Sequence, residues 1–165
     1  MASRATLRFE LPRIKSAKFV QLPLRGLMKS DYGFSTDAGF DFDLAVQTLT
    51  RALKKQGFGI VSDIDMQAIF KEKLAVDDYP YRILGVCNPM LSHQALRADP
   101  DVGLLLPCNV VVRQDREGRV KVSFTAPEAL LSLTSMYDLV NLGREVRNRL
   151  EKVRDALVVD LDAAA

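Results

Sequence analysis

The sequence contains no tryptophan, one histidine and two cysteines among its 165 residues. Two thiols cannot build the disulfide framework that staples small secreted domains, so an intracellular, reducing setting is expected. A single histidine, His93, rules out any centre built on paired imidazoles. There is no Cys-x-x-Cys, P-loop, dinucleotide-binding glycine fingerprint or HExxH, which weakens the commonest nucleotide-dependent and zinc-hydrolase readings. No apolar run approaches the roughly 20 residues that a membrane-crossing helix needs.

Acidic residues are nearly missing from the start of the chain. Residues 1–30 hold Arg4, Arg8, Arg13, Lys15, Lys18, Arg25 and Lys29 against Glu10 alone, seven basic to one acidic, or +6. The remainder carries 16 basic and 20 acidic residues, or −4, which restores the formal total of +2. Pro12 and Pro23 interrupt any periodic pattern there. Such a composition fits a mitochondrial or other organellar targeting segment, a basic arm for a partner protein or RNA, or a plain extended tail. Ordering the segment alone costs roughly 1–2 kcal/mol per residue. Leu7, Phe9, Leu11, Ile14 and Phe19 nevertheless make it too apolar for a purely solvating tail. It is expected to be cleaved or laid across a partner; otherwise the chain is expected to be cytoplasmic.

What is abundant is core material: 48% hydrophobic and 27% charged residues, in a chain long enough to bury roughly 70% of its unfolded surface. One α+β domain is expected over residues 31–160, between the 1–30 arm and a short 161–165 tail. Its first strand is read at Tyr32–Thr36. A helix at Asp41–Gln56 follows from Phe42, Ala45, Val46, Leu49 and Leu53, spaced three and four apart, with Gly57 as its stop. A strand at Phe58–Ile64 leads to a short helix, Met66–Leu74, capped by Asp65. A third strand, Tyr79–Cys87, runs into Asn88 as cap and Pro89 as first residue of a helix ending near Asp99-Pro100. A fourth strand is read at Leu104–Arg113 and a fifth at Arg119–Thr125, joined by a turn at Asp115–Gly118. Pro107 marks an edge, a start or a bulge in the fourth. A connector, Ala126–Leu133, precedes a long helix, Ser135–Val158, with Met136, Leu139, Val140, Gly143, Val146, Leu150, Val153 and Leu157 as its buried stripe. The order gives a two-layer architecture, an antiparallel sheet with helices on one face.

Candidate chemistry gathers between residues 79 and 113. Cys87, Asn88, Pro89, Pro107, Cys108 and Asn109 form a candidate ligand-binding set. Cys87, His93 and Cys108 are soft and borderline donors suited to zinc or copper, and the thiols alone could act as a redox pair. Separations of six and fifteen residues match no compact zinc motif. The competing reading is two small buried cysteines and a histidine on a helix surface. The Asn88-Pro89 step opens a helix whose free N–H groups can hold an anion, though capping alone explains it. Asp63 and Asp65 could share acid–base or cation work, but capping accounts for Asp65. No cofactor is expected, and a metal only as the lesser reading.

Several of these residues also carry a resemblance. Phe40-Asp41-Phe42-Asp43, Gly57-Phe58-Gly59, Tyr81-Arg82-Ile83-Leu84, Cys87-Asn88-Pro89, Ala95-Leu96 before Asp99-Pro100, and Leu105 through Val112 follow one another as in the Domain of Unknown Function 302 family. The chain resembles that family over about residues 32–158. The resemblance implies a fold of the TATA-binding-protein type and association as dimers, and it implies no reaction. The basic arm departs from it. Together these expectations describe a non-enzymatic interaction or structural domain, an accessory subunit of a larger assembly, organellar if the arm is a targeting segment, engaged through the arm. The alternative is a small-ligand, metal or thiol-redox domain using the Asn88–Cys108 region.

Overall fold

The computed structural model describes residues 32–162, with side chains through residue 158; the basic arm and the last residues lie outside the described part. Strand β1 (Gly33–Asp37) leads to helix α1 (Phe42–Lys55). The Asp41 carboxylate accepts from the Leu44 N–H at 2.9 Å, and Asp43 and Lys54-Lys55 suit the two ends of the helix dipole. Gly57, at φ 79°, turns the chain out of the helix in the left-handed region that glycine tolerates. Strand β2 (Gly59–Asp65), helix α2 (Met66–Leu74), strand β3 (Tyr81–Cys87) and helix α3 (Pro89–Ala98) follow. A 3-10 helix (Pro100–Leu105) comes next, then strands β4 (Cys108–Gln114) and β5 (Val120–Thr125). Short helix α4 (Pro127–Leu131) and a 3-10 turn (Ser132–Thr134) precede helix α5 (Tyr137–Asp162).

The five strands form one antiparallel sheet in the order β1-β5-β4-β3-β2. Alternation assigns the two faces. Leu84, Val86, Val110, Val112, Val120, Val122 and Phe124 are buried on one of them, beneath α1 and α5, whose Leu49, Leu53, Leu150, Val153 and Leu157 complete the core. The two apolar stripes therefore meet side by side, as their periodicity predicts. Register rows set out the other face. One runs Ile64, Ile83, Val111, Ser123, Ser35; a second runs Tyr81, Arg113, Lys121, Asp37. Ile64 stays 41% exposed, and Ile83 and Val111 are half-buried. This face is thus apolar toward β2 and hydroxyl-rich toward β1.

The edges of the sheet are guarded. β1 has only five residues, and β2 is broken by a bulge between Ile60 and Ser62 and carries Asp63 and Asp65. Bulges and charges of this kind oppose edge-to-edge pairing. Helix α2 has no buried residue, and Ile69 and Leu74, with Val76 and Tyr79 beyond it, are exposed.

Three expectations need correction. The apolar Leu104–Leu106 stretch is not strand: Asp99 caps a 3-10 helix by accepting from the Asp101 N–H at 2.9 Å, and pairing begins only at Cys108. Pro107, joined to Leu106 by a cis peptide bond, therefore lies ahead of the strand rather than in it. The last helix starts at Tyr137, because Ser135 takes a left-handed φ of 57°, and this leaves Met136 exposed rather than buried.

Candidate functional site

The C-terminal end of β3 and the start of β4 meet α3, the 3-10 helix, α4 and α5 around a narrow apolar cleft. Val86, Cys87, Asn88, Leu91 and Ser92 line it from one side, Cys108 and Leu106 from a second, and Leu131, Leu142 and Val146 from the helices. It lies between two patches of core, the large one under α1 and α5 and a smaller one made by Ala95, Val102, Leu131 and Leu139. Its free volume of about 30 Å³ admits something the size of water. Sites for organic ligands usually enclose roughly 300–1,000 Å³, so this cleft is not preformed for one.

Hydrogen bonds link Asn88, Ser92 and Cys87 within the cleft. Asn88 is 7% exposed; its Oδ1 accepts from the Leu91 N–H at 3.2 Å, the N-cap geometry that the Asn-Pro step predicts. Gly57 leaves room for it, since a Cβ there would stand 3.0 Å from Asn88 Nδ2. Cys87 Sγ lies 2.7 Å from Ser92 Oγ, and the Ser92 hydroxyl donates to the Asn88 carbonyl at 2.9 Å. With that hydroxyl proton committed, the Cys87 thiol is the donor to Ser92. Cys87 precedes the cap and Ser92 is the fourth helical residue, the pair of positions that staples a helix entry. Both cysteines are free thiols. Burial, and then the neighbouring Cys87, push the Cys108 thiol up to about 11, so at neutral pH it is a neutral, poorly nucleophilic group.

The structure divides the candidate set. Cys87, Asn88 and Cys108 share the cleft. Pro89 is exposed at the start of α3, and Asn109 is exposed on the opposite face of the sheet, as alternation from Cys108 requires. Pro107 lies over Gly85, where a Cβ would meet its ring at 2.7 Å. His93 is exposed on α3 and is not among the cleft residues. Among the described residues no group of three or more His, Cys, Asp or Glu side chains is placed to hold a metal. Asp65 caps α2 through the Ala68 N–H at 2.9 Å, while Asp63 holds Arg82 in a two-pronged pair at 2.9 and 3.0 Å, so the two carboxylates have separate structural partners. The residues of the arm, from Arg4 to Lys29, lie outside the described part.

Spacing along the last helix points to only part of a charged cluster formed by α4 and α5. Arg147 of α5 pairs with Glu128 of α4 at 3.1 Å and with Glu151 at 2.9 Å. Its guanidinium sits 3.7 Å from the ring centroid of Phe34, which stacks on Phe124. Gly143 allows α4 this close, for its missing Cβ would lie 2.9 Å from Glu128 Cα. The four-residue step from Arg147 to Glu151 is legible in a helix; the pairing with Glu128 is not.

No described helix is long and apolar enough to cross a membrane. Comparison with known proteins adds a family and no activity. No curated protein matches the chain. The crystal structure of an uncharacterized conserved protein DUF302 from Bacillus stearothermophilus is similar, with 26% sequence identity and a TM-score of 0.73, over 78% of this chain and 99% of that one. Residues 34–157 match the family described as Domain of unknown function DUF302, and the chain belongs to that family.

Proposed function

We propose that the chain is a non-enzymatic interaction domain, an accessory subunit held in a larger assembly through its basic arm and the open face of its sheet. The observation that carries this reading is the face itself: Ile64, Ile83 and Val111 form an apolar row at the surface while the opposite face is sealed by α1 and α5. The cleft is too small to compete as a ligand site. A protein suits the face better than RNA, because Tyr81 is the one aromatic residue in its register rows and Asp37 stands beside Lys121. The described chain begins at Tyr32, just ahead of β1, and its carbonyl accepts from the Ala126 N–H at 2.8 Å. The apolar, basic composition of residues 1–30 suits a partner whose surface is acidic.

The test is co-purification of the tagged full-length chain from its native source, beside two variants. One carries Arg4→Glu, Arg8→Glu and Arg13→Glu in the arm; the other carries Val111→Glu on the open face. The arm variant is expected to keep the wild-type melting temperature, the Val111→Glu variant to stay folded by circular dichroism with a lower one, and both to lose the partner. Retention of every association by both variants refutes the reading. A nuclease-sensitive association makes RNA the occupant instead, and a second copy of the chain as the sole partner makes the face a homodimer interface. Mass spectrometry of the native N-terminus decides whether the arm is cleaved on import into an organelle.

A further inference from the structure

We propose that Cys87 and Cys108 form a thiol switch that closes to a disulfide when the protein meets a hydroperoxide. The inference is independent of any partner, so it stands or falls apart from the interaction reading. The Cα partner of Cys108 across β3 and β4 is Val86, the residue before Cys87. Strand geometry then sets the two cysteine Cα atoms about 6 Å apart, within the span that disulfides bridge. In a continuing strand the two side chains would point to opposite faces. Cys87 is instead the last residue of β3, its sulfur turns toward the first turn of α3, and it lines the same cleft as Cys108.

Their surroundings divide the labour. Cys87 is half-buried and can be reached by a molecule as small as hydrogen peroxide, whereas Cys108 is 8% exposed. The Ser92 hydroxyl stands 2.7 Å from the Cys87 sulfur and, released from the Asn88 carbonyl, can donate to that sulfur as its proton leaves. In the first step the Cys87 sulfur attacks one peroxide oxygen and the O–O bond breaks. Cys87 becomes a sulfenic acid, and the other oxygen leaves as water with the thiol proton. In the second, the buried Cys108 thiol gives up its proton to the departing hydroxide as its sulfur attacks the Cys87 sulfur, a slow step for a neutral thiol that closeness in the cleft favours, and a second water leaves. Two thiols and one peroxide give one disulfide and two waters. Excess low-molecular-weight thiol reverses the bond by exchange. The closed ring contains residues 88–107, which are α3 and the 3-10 helix that wall the cleft, so oxidation would pin that excursion to the sheet.

The full-length protein should be treated with one equivalent of hydrogen peroxide, alkylated and analysed by mass spectrometry. The expected product is a monomer lighter by about 2 Da, with a peptide linking residues 87 and 108, reversed by dithiothreitol. Its melting temperature should rise by about 5–10 °C, because the unfolded chain is now cross-linked. Cys108→Val should stop at a sulfenic acid on Cys87 that dimedone traps, and Cys87→Ser should leave Cys108 unoxidised. A lasting sulfenic acid or higher oxide on Cys87 in the wild-type protein, a linkage only between two chains, or no reaction of the folded protein would each overturn the proposal.

Discussion

Replacing Gly143 by alanine tests how closely α4 and α5 must approach. A Cβ at this position would stand 2.9 Å from Glu128 Cα, 3.0 Å from Glu128 N and 3.1 Å from the Pro127 carbonyl oxygen. All three neighbours are backbone, so no side chain can swing aside and α4 must move as a body. Two effects oppose each other. Alanine in a helix interior is favoured over glycine by about 1 kcal/mol. Overpacking costs about 1–3 kcal/mol, and rigid neighbours place this site toward the upper end. The net loss should be about 1–2 kcal/mol, or a melting temperature lower by about 3–8 °C in a domain of this size. Thermal and urea unfolding followed by circular dichroism read the change directly, with an unaltered m-value showing that stability alone has moved. Gly59→Ala is the control, because nothing lies within 4 Å of its Cβ position, and it should stay within about 0.5 kcal/mol of wild type. If Gly143→Ala is as stable as the wild-type chain, the close approach of the two helices does not carry the constraint assigned to it.

Leu49→Ala and Leu150→Ala should each cost about 2–5 kcal/mol, since both side chains are fully buried between α1, α5 and the sheet. Chemical denaturation giving less than about 1 kcal/mol for either would contradict that packing. Asn88→Ala should lose about 1–2 kcal/mol by removing a buried N-cap, and Asn88→Ser should recover part of it; equal losses in the two variants would exclude capping as the cause. The raised Cys108 group makes stability fall in alkali. The unfolded chain gives up this proton near pH 9 and the folded chain only near 11, so the contribution is complete below pH 9 and about 2–3 kcal/mol is lost as pH rises to 11. Urea midpoints of the reduced protein across that window, compared with Cys108→Val, should show the extra slope in the wild-type chain alone.

Where chemistry is local, the sequence is readable. Asp65 and Asn88 each cap the helix that follows them, as the positions of short polar residues before apolar periodicity imply, and Asp41, read as the first helical residue, proves to be a cap as well. The β4–β5 turn was equally plain, with Gly118 at φ 81° and the Asp115 carboxylate accepting from the backbone of Glu117 and Arg119. Leu104 to Leu106 misled because a short apolar run has no period by which strand and helix can be told apart. Leu104 proves 88% exposed, and the Asp99-Pro100 step decides the conformation from upstream. In the candidate site, closeness along the chain was a poor guide to closeness in space. Two-residue alternation already separates Cys108, Val110 and Val112 from Asn109, Val111 and Arg113, and that signal could have removed Asn109 from the cleft set. The Glu128–Arg147 pair joins residues on two helices whose approach depends on Gly143, and no spacing rule announces it.

Helix α2 has a consequence for how the molecule breathes. With no buried side chain of its own, it forfeits little apolar contact when it melts, whereas α1 cannot open without baring the core. Opening free energies should therefore differ by several kcal/mol between the two helices. Amide protons of residues 66–74 should exchange with solvent through local fluctuations, while those of α1 wait for global unfolding. Within the described body, a protease should find its first cut near residues 75–79, leaving a nicked domain still folded around the sheet. The domain is thus built in two tiers of persistence, a slow central slab and a fast-exchanging flap at its β2 end.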